Sequence, residues 1–188
     1  MNKYFKKLNP NEILFLLGLL TSTVGQYLIF IYFNDLEKLH NQEPIDFSHW
    51  LMIIGVLLLI PQIGNFPKSK FKFIGSPSLI CGIGLIIGMC VIDFVFWSLK
   101  DPELKSQVTK HLINTPEIWT PFMSVSGKIF NLGLLISSLN YFKKSSLGVL
   151  FVFVGTLIVY LPWGWDNVLG YLLITVGFYI NFINSKKS

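Results

Sequence analysis

Six apolar segments divide this chain of 188 residues, and its charged residues are sorted among the stretches that connect them. The amino terminus and every second connection are rich in lysine, whereas the intervening connections are acidic and carry or adjoin the tryptophans. With a mean hydropathy of +0.58 and 13% charged residues, the chain has too little polar surface for a soluble domain of this size. The pattern predicts an all-α polytopic integral membrane protein, built as a six-transmembrane-helix bundle whose partner is the lipid bilayer.

The expected spans lie at residues 10–33, 50–66, 76–97, 121–142, 146–163 and 167–183. Because about 20 residues are needed to cross the hydrocarbon core, these spans use most of the chain and predict a single transmembrane domain over 1–188. Ser48 is a candidate cap for the second span, and Pro61 should kink it. Ser76-Pro77 should open the third span, with proline at its first helical position.

A longer connection, residues 98–120, separates the third and fourth spans. Asp101-Pro102-Glu103 is typical of a helix start, and Leu104, Val108 and Leu112 then recur at four-residue intervals. We therefore expect a short amphipathic helix that lies on the membrane surface or caps the bundle.

The distribution of lysine predicts the orientation, because connections on the cytoplasmic side carry an excess of basic residues. With the amino terminus inside, ten lysines fall on the inner side and four on the outer side. The inner lysines are Lys3, Lys6, Lys7, Lys68, Lys70, Lys72, Lys143, Lys144, Lys186 and Lys187, and the outer ones are Lys38, Lys100, Lys105 and Lys110. Both termini should be cytoplasmic, and Trp50, Trp97, Trp119, Trp163 and Trp165 should mark the outer boundary.

The setting that we expect is a bacterial inner membrane, because the chain shows no eukaryotic targeting signal and no arginine. Residues 1–20 resemble a secretory signal, but they lack an Ala-x-Ala-like site, so we expect them to stay attached. The absence of arginine also argues against a nucleic-acid partner, since arginine is the usual residue for bidentate base and phosphate contacts.

Small residues at helical spacing indicate close helix packing. Such stripes are formed by Gly18, Ser22 and Gly25, by Gly84 and Gly88, by Gly148 and Gly155, and by Gly170 and Gly177. The Gly84/Gly88 pair is a GxxxG sequence, which leaves a homo-oligomer open. Cys81 and Cys90 are nine helical residues apart, roughly 13 Å, so they cannot pair and should serve as packing residues.

Two ionisable residues, Asp93 and Lys128, fall inside predicted spans, where a charge costs at least about 2.5–3.5 kcal/mol. Depth counted from the span ends places Asp93 slightly nearer the outer boundary than Lys128, whose long stem can reach upward. We therefore predict an Asp93–Lys128 ion pair between the third and fourth spans.

Further polar residues share helix faces in the outer half of the bundle. In the fourth span Ser124, Lys128, Asn131 and Ser138 fall on one stripe, which should face the protein interior. The sequence thus predicts an outward-facing pocket, whose candidate binding residues are Gln26, Asp93, Ser124, Lys128, Asn131 and Tyr160. The same residues would otherwise only hold the helices together.

No catalytic, metal or cofactor motif is present. His40 and His49, with Glu43 and Asp46 nearby, lack the spacing of a zinc site and fit solvated loop histidines better, as does His111. We therefore assign no catalytic residue, metal or cofactor. The favoured function is small-molecule transport or binding, and the alternatives are an enzyme acting on lipid head groups, with Asp93, His49 or His111 as its acid–base groups, and a structural or accessory subunit.

Overall fold

The computed structural model describes residues 8–33, 46–161 and 166–186, and within these ranges the protein is helical without a strand. Its helices are α1 (Pro10–Phe33), α2 (Phe47–Leu57), α3 (Ile60–Ile63), α4 (Lys70–Ser98), α5 (Pro102–Ile113), α6 (Pro116–Trp119), α7 (Ser126–Ser138), α8 (Ser146–Val159) and α9 (Asp166–Ser185). A π-helical turn, Thr120–Ser124, precedes α7, and a 3-10 turn, Leu139–Tyr141, follows it. Several residues that carry predictions lie outside the described ranges: Lys3, Lys6, Lys7, Lys38, His40, Glu43, Trp163, Trp165 and Lys187.

Three helices are long and apolar enough to cross a membrane, namely Pro10–Ile31, Lys70–Ser98 and Asn167–Ser185. The pair Pro116–Ser124 and Ser126–Tyr141, bent by 46°, makes a fourth if it is counted as one span. The prediction of six spans was therefore wrong in number for the described residues. Phe47–Ile63 and Ser146–Val159 are apolar, but they are shorter than the 18 residues that such a span requires.

Capping explains where several helices begin. Asn9 and Glu12 form a reciprocal capping box at α1, with Asn9 N donating to Glu12 Oε2 and Glu12 N donating to Asn9 Oδ1. Asp46 caps α2, so the predicted cap Ser48 lies inside the helix. Ser69 caps α4 two turns before the predicted start, which places Pro77 within the helix. The predicted short helix exists as α5, and Asp101 caps it.

Glycines bring the helices together in three antiparallel pairs, which we call the first hairpin (α1 with α2), the second hairpin (α4 with α7) and the third hairpin (α8 with α9). A Cβ added to Gly18 would lie 2.5 Å from the Gly55 carbonyl oxygen, and one added to Gly155 would lie 2.6 Å from that of Gly170. In the second hairpin a Cβ on Gly133 would lie 2.7 Å from the Leu79 backbone. The backbones therefore touch within each hairpin, as small residues permit.

Gly84, the first glycine of the GxxxG sequence, takes no part in this packing, because nothing lies within 4 Å of an added Cβ. Gly82 faces α7 instead, and a Cβ there would lie within 3.0 Å of the Phe130 backbone. The stripes predicted around Gly18 and in the third hairpin do mark helix contacts.

The two ends of the bundle differ in their side chains. Lys68, Lys70, Lys143, Lys144 and Lys186 lie at what we call the lysine end, and Trp50, Trp97 and Trp119 lie at the opposite, tryptophan end. Near the lysine end an aromatic cluster joins the hairpins, with Phe15 4.8 Å from Phe178 and 5.7 Å from both Phe66 and Phe182, measured between ring centroids. These rings are buried and fill the core at that end.

Gly82→Ala should lower the apparent melting temperature, because the new methyl group meets backbone that cannot move aside. Overpacking of about 1–3 kcal/mol corresponds to a shift of several degrees for a chain of this size. The matched control is Gly84→Ala in the same helix, where space is open and alanine favours the helix. Thermal unfolding in detergent measures both variants, and equal melting temperatures would contradict the packing described for the second hairpin.

Candidate functional site

A cavity of about 350 Å³ lies between the three hairpins toward the tryptophan end. Five of the six predicted binding residues line it, namely Gln26, Ser124, Lys128, Asn131 and Tyr160. Because Gln26 belongs to the first hairpin, Asn131 to the second and Tyr160 to the third, the cavity exists only when all three hairpins are packed. Its other lining residues are Met52, Ile86, Met89, Met123, Ser126, Gly127, Val159, Asn167 and Tyr171.

The exposure of these residues distinguishes the mouth of the cavity from its floor. Ser124, Lys128 and Tyr160 are exposed and form the mouth. Asn131 and Tyr171 are buried and form the floor. One turn further along α7 and α9, Leu134 and Ile174 are fully buried, so the core closes the cavity toward the lysine end.

Asn131 places a buried polar side chain at the floor of the cavity. Its side chain is 2% exposed, and its amide oxygen Oδ1 has no hydrogen-bond partner. A buried polar atom left without a partner costs about 1–3 kcal/mol, so such atoms are rare unless something else satisfies them. The Asn131 side chain hydrogen-bonds Tyr171, and its Oδ1 is the atom left without a partner at the floor of the cavity.

Positive charge lies one turn before Asn131, where α7 begins. Ser126, Gly127 and Lys128 form its first turn and line the cavity, and no side chain caps the helix. The start of a helix carries a partial positive charge and free backbone N–H groups, and the Lys128 ammonium adds a full charge. Tyr160 fixes this helix start, because its hydroxyl donates to the Lys128 carbonyl oxygen at 3.0 Å.

Two methionine sulfurs of the cavity accept hydrogen bonds. Gln26 Nε2 donates to Met52 Sδ at 3.5 Å, and Ser126 Oγ donates to Met89 Sδ at 3.6 Å. Thioethers are weak acceptors, so these contacts hold the two polar groups loosely and leave them free to turn toward a ligand.

Asp93 does not pair with Lys128, and that prediction was wrong. Within the second hairpin, α7 residue 130 faces α4 residue 82, which places Lys128 level with Gly84. Asp93 is nine residues further along α4, roughly 13 Å at 1.5 Å per residue, which is beyond the reach of a contact. The error came from the start of the fourth span, which the bend at Val125 displaces.

The actual partner of Asp93 is His49. His49 Nε2 lies 3.1 Å from Asp93 Oδ2, and His49 Nδ1 lies 2.5 Å from Asp46 Oδ2. The His49 side chain is only 14% exposed, so the expectation of a solvated loop histidine was also wrong. The sequence did contain a signal, because Asp46 three residues before His49 is the spacing of a helix cap that can also hold the side chain.

The two carboxylates decide the protonation of His49, which lies in the first turn of α2 before the apolar stretch begins at Trp50. Burial alone would lower the pKa of the imidazole, but hydrogen bonds and charge from Asp46 and Asp93 outweigh it and raise the pKa from 6.5 to about 9. For Asp46, burial works to raise the pKa, yet the hydrogen bonds and charge of His49 prevail and lower it.

These shifts define a pH window for the cluster. A raised histidine pKa stabilises the fold fully below the unfolded value near 6.5, and this contribution is lost as pH rises through about 9. The lowered pKa of Asp46 acts at the other limit, where its contribution disappears as acid protonates the carboxyl.

Sequence reasoning missed a second polar region, at the lysine end. Glu12 is 5% exposed and forms an ion pair with Lys186, which joins the first hairpin to the third. Gln62 and Asn181 are also buried there, and both carry side-chain atoms without a hydrogen-bond partner. The expectation that polar groups gather in the outer half therefore describes only part of the bundle.

Within the described residues, no group of three or more His, Cys, Asp or Glu side chains could hold a metal ion. Both ring nitrogens of His49 are already engaged by carboxylates. The polar chemistry of the cavity itself is that of an ammonium, a carboxamide, hydroxyls and a helix start.

Asp93→Asn should destabilise the protein, because it leaves the buried His49 cation with a weaker partner. We expect a loss of about 1–3 kcal/mol at pH 7, seen as a melting temperature lower by several degrees. Lys128→Met, the comparison variant, should leave the melting temperature nearly unchanged, because Lys128 is exposed and makes no ion pair with Asp93. Equal losses in the two variants would instead favour an Asp93–Lys128 pair.

Comparison of the chain with known proteins adds no relative to this description. No protein family, curated protein or solved structure matches it. A function can therefore be inferred only from the residues of the cavity and the contacts around it.

Proposed function

We propose that the protein is a multi-pass integral membrane protein that binds or transports a small polar molecule through the cavity between its hairpins. The membrane setting is supported by α1, α4 and α9, which have the length and apolar composition of spans. The shorter helices fit the same setting, because Ile54, Leu57, Leu150 and Leu157 expose apolar side chains on their outer faces. Exposed apolar surface of this extent suits lipid better than water.

The orientation that we propose follows the lysine excess, with the lysine end in the cytoplasm, the tryptophan end outside, and a bacterial inner membrane as the setting. The mouth of the cavity then opens toward the outer face. In this orientation the aromatic cluster around Phe15 would separate the cavity floor from the cytoplasm, which supports the proposal of an outward-facing arrangement. Transport would require that cluster to part.

The unpartnered Asn131 oxygen on the cavity floor carries the proposal of a ligand. Asn131 lines the cavity one helical turn after Lys128 and the uncapped start of α7. A molecule that places an anionic group at the start of α7 and a hydrogen-bond donor against Asn131 satisfies both groups. At about 350 Å³ the cavity suits a small ligand. We infer a small amino acid or hydroxy acid as the substrate class.

The enzyme alternative receives less support. A general base needs a free nitrogen within reach of substrate, whereas both nitrogens of His49 contact carboxylates. His111 is exposed on α5, outside the residues that line the cavity. A structural or accessory role is what the absence of any ligand would indicate.

Cysteine labelling tests the membrane setting and orientation. In a Cys81→Ser background, which leaves only buried Cys90, Ser106→Cys should react with a membrane-impermeant maleimide in intact cells. Lys143→Cys should react only after the cells are permeabilised, because the lysine end is cytoplasmic. The reverse pattern would overturn the orientation, and labelling of both positions in intact cells would overturn the membrane setting.

Ligand-induced thermal stabilisation tests the cavity, with a panel of amino acids, hydroxy acids, neutral sugars and simple amines. We expect stabilisation by members of the first two classes. Asn131→Leu should weaken their binding about 10- to 100-fold, because it removes a buried polar contact worth about 1.5–3 kcal/mol.

Leu132→Ala is the matched control, since its side chain is adjacent in sequence but points out of the bundle and is 49% exposed. It should bind like the original protein. If no compound on the panel stabilises the protein, or if both variants bind equally, the proposed site is wrong.

A further inference from the structure

The Asp46–His49–Asp93 cluster connects the first and second hairpins at the tryptophan end. Asp46 and His49 belong to the start of α2 in the first hairpin, whereas Asp93 belongs to α4 in the second. Within each hairpin the glycines bring backbones into contact, but at the tryptophan end α2 and α4 meet through side chains. The link from His49 to Asp93, at 3.1 Å, is a polar connection between the two hairpins, and the Trp50 and Phe94 rings lie beside it with centroids 5.3 Å apart.

The connection depends on one proton. A neutral imidazole has a single N–H group, so it can donate to one carboxylate only, and its other nitrogen then faces the second carboxylate with a lone pair. The imidazolium donates from both nitrogens and satisfies Asp46 and Asp93 together. The short contact with Asp46 lies within one helix turn, so loss of the proton weakens the contact between the hairpins first.

The cluster lies about one helix turn from the cavity, toward the tryptophan end. Met52 follows His49 by three residues on α2, and Met89 precedes Asp93 by four residues on α4, so each lies one turn deeper on the same helix face. Both methionines line the cavity. Any separation of α2 from α4 at the cluster therefore widens the cavity between the first and second hairpins.

Among the described residues, few other titratable groups lie near the cluster. On α4 the buried Cys90 thiol lies near the carboxylates of Asp46 and Asp93. Phe94, which follows Asp93, has its ring centroid 6.1 Å from that of His49. Beyond them Lys100 lies over the Trp97 ring at 5.0 Å. On the described part of α1, which packs against the other side of α2, the charged residue is Glu12 at the far, lysine end.

We propose that Asp46, His49 and Asp93 form a proton-binding latch, which takes up one proton as it joins the first and second hairpins beside the cavity and releases it as they part. As a control on the width of the ligand cavity the latch rests on the proposed function, and it makes H⁺ the coupling ion. The His49 imidazole gains one proton from solvent when the latch closes, and it returns one proton to solvent when the latch opens.

The strength of the coupling follows from the two environments of His49. In the closed latch the pKa of His49 is about 9, whereas an imidazole exposed to solvent titrates near 6.5. Closing at neutral pH therefore binds a proton, and the ratio of closed to open molecules should fall on the order of 100-fold between pH 6.5 and 9.

A distance measurement tests the latch without any ligand. Spin labels on Phe47→Cys and Ser98→Cys, both at exposed positions in a Cys81→Ser background, report the separation of α2 and α4 in lipid nanodiscs. Pulsed electron–electron double resonance should give one short distance between the two spin labels at pH 6 and 7. A longer population should grow as pH rises, with a midpoint near that of His49 followed by NMR of ¹³C/¹⁵N-histidine.

Two variants provide the comparison. Asp93→Asn removes one carboxylate and should move both midpoints toward more acidic pH by one unit or more. His111→Gln removes an exposed histidine of α5 and should change neither midpoint. A distance that does not change from pH 6 to pH 10, or a midpoint unaffected by Asp93→Asn, would overturn the latch.

The result is independent of whether a ligand is found. A pH-dependent distance together with no stabilisation by any compound on the panel would keep the latch and reject the proposed function. Stabilisation by a ligand together with a distance that ignores pH would do the opposite.

Discussion

Contact between helix backbones at glycine is the constraint on which the rest of the structure depends. Gly18 with Gly55, Gly82 with Phe130 and Gly155 with Gly170 each lie where a single Cβ would meet backbone atoms. Because backbone cannot rotate away as a side chain can, each contact fixes the register of its pair to within about one residue. This register determines which side chains of neighbouring helices lie at the same height along the bundle, and therefore which of them can be in contact.

The contacts between hairpins are of a different kind, and they divide the bundle along its length. Near the lysine end aromatic rings around Phe15 fill the space between hairpins and leave no gap. Near the tryptophan end the Trp50 and Phe94 rings are in contact, but the hairpins also meet through polar contacts, at His49 with Asp93 and at Tyr160 with the Lys128 carbonyl. Polar contacts are directional and do not fill volume, so the cavity lies at that end.

Several features followed correctly from the sequence. The apolar segments, the start of the first helix at Pro10 and the helix at residues 102–113 depend on local periodicity and on caps, which are written in consecutive residues. The grouping of Gln26, Lys128, Asn131 and Tyr160 also followed, because polar faces of apolar helices turn inward wherever their neighbours lie. The number of spans did not follow, because Phe47–Ile63 and Ser146–Val159 are shorter than 18 residues and a bend at Val125 divides the fourth predicted span.

What the sequence determined by itself is which faces and which ends of the helices are polar, since that depends only on spacing along each helix. Which polar groups touch was decided by the tertiary structure alone. Asp93 lies nine residues from the level of Lys128 because the glycine contacts set the register of the second hairpin. It meets His49 because Asp46 starts α2 two residues earlier than Ser48 would. A shift of one turn, about 5.4 Å, exceeds the length of a hydrogen bond, so only the packed structure selects the partner.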